Sequence, residues 1–202
     1  MKHEWKKHEK GLYGAKQIPT LIEVPKQLYI MITGSGNPND KDFSDKVSAL
    51  YSLAYAIKME YKANSSSQEI NDYTVYPLEG IWKQKEFTDG LDKSLLEYTI
   101  MIRQPDFVTK DMFSDALKRV KNKKPNSLYE QIRFDYMQDG KCIEILHIGT
   151  YDDEPKSFLK MDIFAKENDL IRIGNFHREI YLNNSNRVLK SKLKTILRYS
   201  VR

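Results

Sequence analysis

Stretches of apolar–polar alternation recur along this chain of 202 residues in a fixed order with helical stripes, and the order occurs twice. That recurrence restricts the fold more than any short motif does. In the first half, QLYIMIT (27–33) reads as a strand ending in the turn GSGNPND, because a short apolar run bounded by Gly, Pro and Asn has strand length and turn punctuation. Phe43, Val47, Leu50, Ala54, Ile57 and Tyr61 follow at spacings of three and four, the core stripe of a helix, with Asp40 or Asp42 as its N-cap. ANSSSQEIN (63–71) reads as a loop. DYTVYPLEGIWKQ (72–84) alternates as a strand, with Pro77 marking an edge or a bulge. LLEYTIMIRQP (95–105) is a further strand, with Leu96, Tyr98, Ile100 and Ile102 on one face.

An insertion comes next. TKDMFSDALKRVKNKK (109–124) is a helix capped by Thr109, and QIRFDYMQDGKCIEILHIG (131–149) reads as a β-hairpin turning at Asp139-Gly140. Then the first order returns. A helix opens with Glu154 and Pro155 in its first turn, and HREIYL (177–182) and LKTILRYSV (193–201) are strands. The expected fold is α+β. Two pseudo-symmetric strand–helix–strand–strand modules, about 18–105 and about 141–202, flank an inserted helix and strand at about 109–138. The helices are expected on one face of an antiparallel sheet, within a single domain.

Composition narrows the function classes. With 40% hydrophobic and 30% charged residues the chain can bury a core, which excludes a disordered segment. The net charge of +5 is spread along the chain, and the densest run, KRVKNKK (118–124), ends a helix, where basic residues complement the dipole. Direct nucleic-acid binding is therefore not expected. GSG at 34–36 lacks the rest of a phosphate-binding pattern. The opening MKHEWKKHEKGLYG has no apolar core of a leader, and no apolar run approaches a membrane span. With Cys142 as the one cysteine, no intrachain disulfide can form, so a cytoplasmic protein is expected. His3, His8, Glu4 and Glu9 read as the polar side of an amphipathic N-terminal helix carrying Trp5 and Leu12. No metal site and no cofactor are expected.

The strand HREIYLNNSNR (177–187) carries the sharpest question. By parity, Ile180 and Leu182 share one face and His177, Glu179 and Tyr181 the other. If the first face meets the helices, Glu179 looks to the uncovered side, together with Tyr76 and Trp82 of the matching strand. Aromatic walls around one carboxylate make a typical small-molecule groove. His147, in an Ile- and Leu-rich strand, reads as structural, and Glu79 and Glu97 read as solvated edge residues.

ALYSLAYAIKM (49–59), VYPLEGIW (75–82), MIRQPDFVT (101–109), LHIGTYDDEP (146–155), HREIYL (177–182) and LKTILRYSV (193–201) together resemble the GyrI-like (gyrase-inhibitor-like) small-molecule-binding family, in its larger stand-alone bacterial members. The resemblance implies two modules about a pseudo-twofold, with a ligand groove between them. It implies a glutamate, here Glu179, among aromatics that hold flat, often cationic, hydrophobic molecules. It also implies that some stand-alone members hydrolyse the strained ring of cyclopropane-bearing (cyclopropanoid) DNA-alkylating compounds. The family segment reads closer to HHEIYLSDPRR. Here Arg178 replaces the second His and Asn184-Ser185 stands where Asp-Pro is usual, and neither change removes the carboxylate.

Two mechanisms use the same residues. For binding, Tyr76, Trp82, His177, Glu179 and Tyr181 surround the ligand, Glu179 pairs with a cation, and the rings add cation–π contacts of about 0.5–2 kcal/mol. For hydrolysis, Glu179 is a general base on water and a tyrosine, Tyr181 or Tyr76, donates to the carbonyl that gathers charge. Whether the protein turns ligands over is left open at this level. The alternative is a protein-interaction role such as gyrase inhibition.

Overall fold

The structure, a computed structural model, describes residues 1–84 and 92–202. In chain order its elements are β1 (Lys2–His3), α1 (Trp5–His8), α2 (Lys10–Tyr13), β2 (Thr20–Val24), β3 (Gln27–Ser35), α3 (Lys41–Asn64), β4 (Asp72–Tyr73), β5 (Leu78–Gln84), β6 (Leu96–Gln104), α4 (Lys110–Lys123), β7 (Arg133–Met137), β8 (Gly140–Ile148), α5 (Glu154–Glu167), β9 (His177–Tyr181) and β10 (Lys194–Ser200). The fold is α+β, built on an eight-stranded antiparallel sheet in the order β2-β8-β10-β9-β5-β6-β3-β7. The order β8-β10-β9 mirrors β3-β6-β5, so two like units meet where β9 pairs with β5.

This order forces the sheet to curl. β2 and β3 lie at opposite ends of the order yet are joined by Pro25 and Lys26 alone, and β7 and β8 are joined by Gln138 and Asp139. Each link spans six steps of the order, roughly 29 Å in a flat sheet at about 4.8 Å per step, which two residues cannot bridge. The expected hairpin at Asp139-Gly140 is thus corrected. The turn exists, with Gly140 at φ +67°, but β7 pairs with β3 and β8 pairs with β2 and β10. The turn crosses from one end of the sheet to the other, and local turn chemistry cannot distinguish this from a hairpin.

The convex face carries the helices. Leu50, Leu53, Ala54 and Ile57 of α3 join Ile30, Ile32, Ile100 and Ile102 in one buried cluster, each large side chain contributing about 1.5–3 kcal/mol. Phe113 of α4 stacks on Phe134 of β7 at 4.7 Å, and Thr109 caps that helix by accepting from the Met112 amide. Met161 and Ala165 of α5 pack with Ile143, Ile145, Leu197 and Tyr199. Two boundaries differ from the sequence reading. α3 runs on to Asn64, and the strand expected over 72–84 is broken at Pro77 into β4 and β5.

The concave face is filled by side chains. Arg178 forks onto Asp139 (Nε–Oδ2 2.7 Å, Nη2–Oδ1 2.8 Å) and donates to Glu79 at 3.0 Å. Arg198 donates to Glu144 at 2.7 Å and to the Leu12 carbonyl. Glu79 is 1% exposed, so its reading as a solvated edge residue is corrected. Glu97 does lie at the surface, paired with Lys83 at 3.0 Å. The N-terminus is two short helices rather than one solvated helix. Trp5 is buried with its ring 4.9 Å from that of Tyr13, and Glu9 accepts from His3, Tyr76 and Arg103. His147 bonds Ser157 and the Thr150 carbonyl at 2.9 Å each, as a structural histidine does. Cys142 is buried, which pushes its thiol up to about 11.

Candidate functional site

The junction of β9 with β5 assembles the site. Residues directly opposite in an antiparallel pair share a face. Here Gly80 stands opposite Glu179 and Trp82 opposite His177. The His177, Glu179, Tyr181 parity holds, but the face it meets differs from the expectation. Phe43 of α3 lies 5.7 Å from the Trp82 ring, and Phe158 of α5 lies 4.7 Å from the His177 ring. Glu179 therefore lies on the helix-bearing side, with α3 and α5 to either side of it, and not on a helix-free face. Curling is the physical reason. The concave face is occupied by the Arg178 network and by Leu12 and Tyr13 of α2, so α3 and α5 have room on the convex face alone.

Glu179 is held from two directions. Its Oε1 is 2.8 Å from His177 Nε2, and its Oε2 accepts from the Tyr181 hydroxyl at 2.8 Å. Tyr181 accepts in turn from Trp82 Nε1 at 2.9 Å. The chain of donors fixes the carboxylate's orientation and commits Tyr181 to Glu179. Burial and the Glu179 charge raise the Tyr181 phenol far above its usual value, so it stays a donor. Gly80 makes the geometry possible. A Cβ there would stand 2.6 Å from Trp82 Nε1, so the missing side chain lets the indole lie back along β5 toward Tyr181. Tyr98 packs 5.3 Å from the indole on its other side.

A second carboxyl completes the cluster. Glu154, the first residue of α5, is 7% exposed, and its Oε1 has no hydrogen-bond partner among the described residues. A helix N-terminus favours a carboxylate by about 0.3–1 kcal/mol. Burial first, and then the neighbouring Glu179 charge, overcome this and push Glu154 up to about 10. That direction favours its neutral, protonated form. Tyr151, 43% exposed, sets its ring edge-on to Tyr181 at 6.0 Å and forms the outer wall. Donor atoms of Glu154, His177 and Glu179 lie within 4.8 Å of one another. At this spacing the three groups can share a proton.

The family model for the GyrI-like small molecule binding domain matches residues 18–200. The chain belongs to this family. No curated protein matches it. Among solved structures, this GyrI-like chain is similar to a conserved protein from Listeria innocua at 31% identity (TM-score 0.91, covering 99% of this chain and 100% of that one). It is also similar to two crystal structures described as hydrolases from Listeria innocua, both at 30% identity. One has a TM-score of 0.90 and covers 100% of each chain, and the other has 0.88 and covers 99% of this chain and 100% of that one.

Of the residues singled out in this GyrI-like sequence, the structure brings together Trp82, His177, Glu179 and Tyr181. It does not bring Tyr76 to them. Tyr76 is 1% exposed, bonded to Glu9, with its ring near Trp5 and Tyr13 and under the Arg103 guanidinium at 5.0 Å. The break at Pro77 separates it from the register of Trp82. Sequence reasoning missed Glu154, Tyr151, Phe43 and Phe158 as neighbours of Glu179. The signal for Glu154 lay in TYDDEP, where the acid beside the N1-type proline is the one the helix start carries to β9. Among the described residues, no helix is long and apolar enough to cross a membrane.

Proposed function

We propose that this GyrI-like chain binds flat, hydrophobic small molecules, cationic ones included, over the Trp82–Tyr181–Glu179 cluster, and hydrolyses strained cyclopropane-bearing alkylating compounds there. The observation that carries the reading is the pairing of an oriented carboxylate, Glu179, with a buried neutral acid, Glu154, between aromatic side chains. Tyr151 is the exposed member of the cluster, and access is proposed to run past it. Tyr151 supplies a ring face for stacking, the buried Trp82 holds Tyr181 in place behind it, and the Glu179 charge answers a ligand cation, with cation–π contacts adding about 0.5–2 kcal/mol.

For hydrolysis, the two carboxyls divide the work. Glu179 takes a proton from water as the water oxygen bonds to a cyclopropane carbon. The strained C–C bond breaks, its electron pair moves into the conjugated carbonyl, and Glu154 gives that oxygen its proton. Water has then been added across the bond, and a proton passing from Glu179 to Glu154 resets the pair. Tyr181, already donating to Glu179, positions the base, so the donor to the substrate carbonyl is Glu154 and not a tyrosine. The hydrolase description of two similar Listeria innocua structures at 30% identity supports this extension.

The test is incubation with a cyclopropane-bearing DNA alkylator, followed by absorbance and mass. Ring-opened product carrying one added water, formed catalytically and slowed about 10²–10⁴-fold in Glu179→Gln, supports hydrolysis. Saturable binding without turnover leaves ligand binding alone. Tight association with gyrase and no small-molecule binding would favour the protein-interaction role.

A further inference from the structure

We infer that Glu154 sets ligand specificity: it lets one site accept two chemical classes, neutral rings bearing an acceptor while its carboxyl keeps the proton, and lipophilic cations when that proton is released. The inference rests on the binding reading above and adds to it a residue, a second ligand class and a proton stoichiometry.

The geometry supplies the argument. Both Glu179 oxygens are engaged, Oε1 by His177 and Oε2 by Tyr181. Glu154 Oε1 is buried without a partner among the described residues. Leaving a buried polar atom unpaired is costly, and the acid that bears this cost is the one beside the Glu179 carboxylate. The carboxyls are too close, and too far from water, to ionise together without a positive charge between them. A proton on Glu154 is one solution, and it leaves an O–H for a ligand carbonyl. A delocalised cation against the exposed Tyr151 ring is the other, and it replaces the proton.

Among the described residues, the lysines beside the start of α5, Lys93 and Lys156, are paired elsewhere. From β9, Glu154 faces Glu179, His177 and Tyr181; from the turn before α5 it faces Tyr151 and Asp152. His177 is hydrogen-bonded to Glu179, Asp152 is paired with Lys93 at 3.3 Å, and Asp153 is paired with Lys156 at 2.7 Å. Burial and the Glu179 charge hold the Glu154 proton in the absence of ligand.

The test is calorimetric titration with rhodamine 6G as the cation and coumarin 6 as a neutral, carbonyl-bearing ring, each in phosphate and in Tris. Binding heats that differ between buffers count protons. The expected result is close to one proton released per rhodamine 6G bound and none per coumarin 6. Rhodamine affinity should rise by up to tenfold per pH unit from about pH 6 to 8 while coumarin affinity stays level. Glu154→Gln should abolish the proton release and the pH slope and weaken rhodamine binding. The wild-type proton count decides the matter even if the variant folds poorly. Rhodamine binding with no proton release overturns this inference and leaves the binding reading intact. Failure of both dyes to bind at any pH overturns both.

Discussion

Replacing Glu154 by Gln should stabilise the protein, and by more as the pH rises. In the folded chain Glu154 holds its proton up to about 10, against 4.5 for an unperturbed glutamate, because it is buried beside Glu179. The folded state therefore binds this proton more tightly than the unfolded state does. The stability it contributes is fully present below about 4.5, falls as pH rises, and is lost through about 10. One proton of difference amounts to about 1.4 kcal/mol per pH unit. Across three pH units, from about 5.5 to about 8.5, the wild type should lose up to about 4 kcal/mol relative to the Gln variant, with water entering the site lowering that ceiling. Urea unfolding of both proteins at several pH values measures the difference directly. Parallel stability–pH curves would refute the claim that Glu154 is a buried neutral acid. So would a Gln variant that loses ground as pH rises.

Gly80→Ala places a methyl group 2.6 Å from Trp82 Nε1 in a ring already packed by Phe43 and Tyr98. It should cost about 1–3 kcal/mol by overpacking and break the Trp82–Tyr181 bond, seen as lower denaturation midpoints and altered tryptophan fluorescence. Arg178→Met leaves Asp139 and Glu79 without their shared cation inside the curled sheet. It should cost about 3–5 kcal/mol, measured by thermal unfolding, and a loss below about 1 kcal/mol would contradict the role given to that network.

The α+β class, the doubled element order and the parity of β9 were legible because alternation and helical stripes report local burial. What local pattern does not report is curvature. Asp139-Gly140 carries the chemistry of a hairpin, yet the order of strands makes it a link between the two ends of the sheet. The same curvature placed the helices on the Glu179 face and hid Glu79 within the concave face. Tyr76 and Trp82 read as partners on one strand, but the break at Pro77 turned Tyr76 toward Glu9 and Arg103. Glu154 escaped notice because its role at the start of α5 is also what an acid in a first turn does for stability. That its Oε1 has no partner among the described residues is visible in three dimensions alone.

Equilibrium binding of rhodamine 6G, followed by fluorescence polarisation at about pH 7.5 with wild type and Glu179→Gln side by side, tests the central claim most directly. The account predicts saturable binding at one site per chain, weakened tenfold or more in the variant, about 1.4 kcal/mol for the lost charge pairing. Equal affinity in the two proteins would contradict a ligand site centred on Glu179.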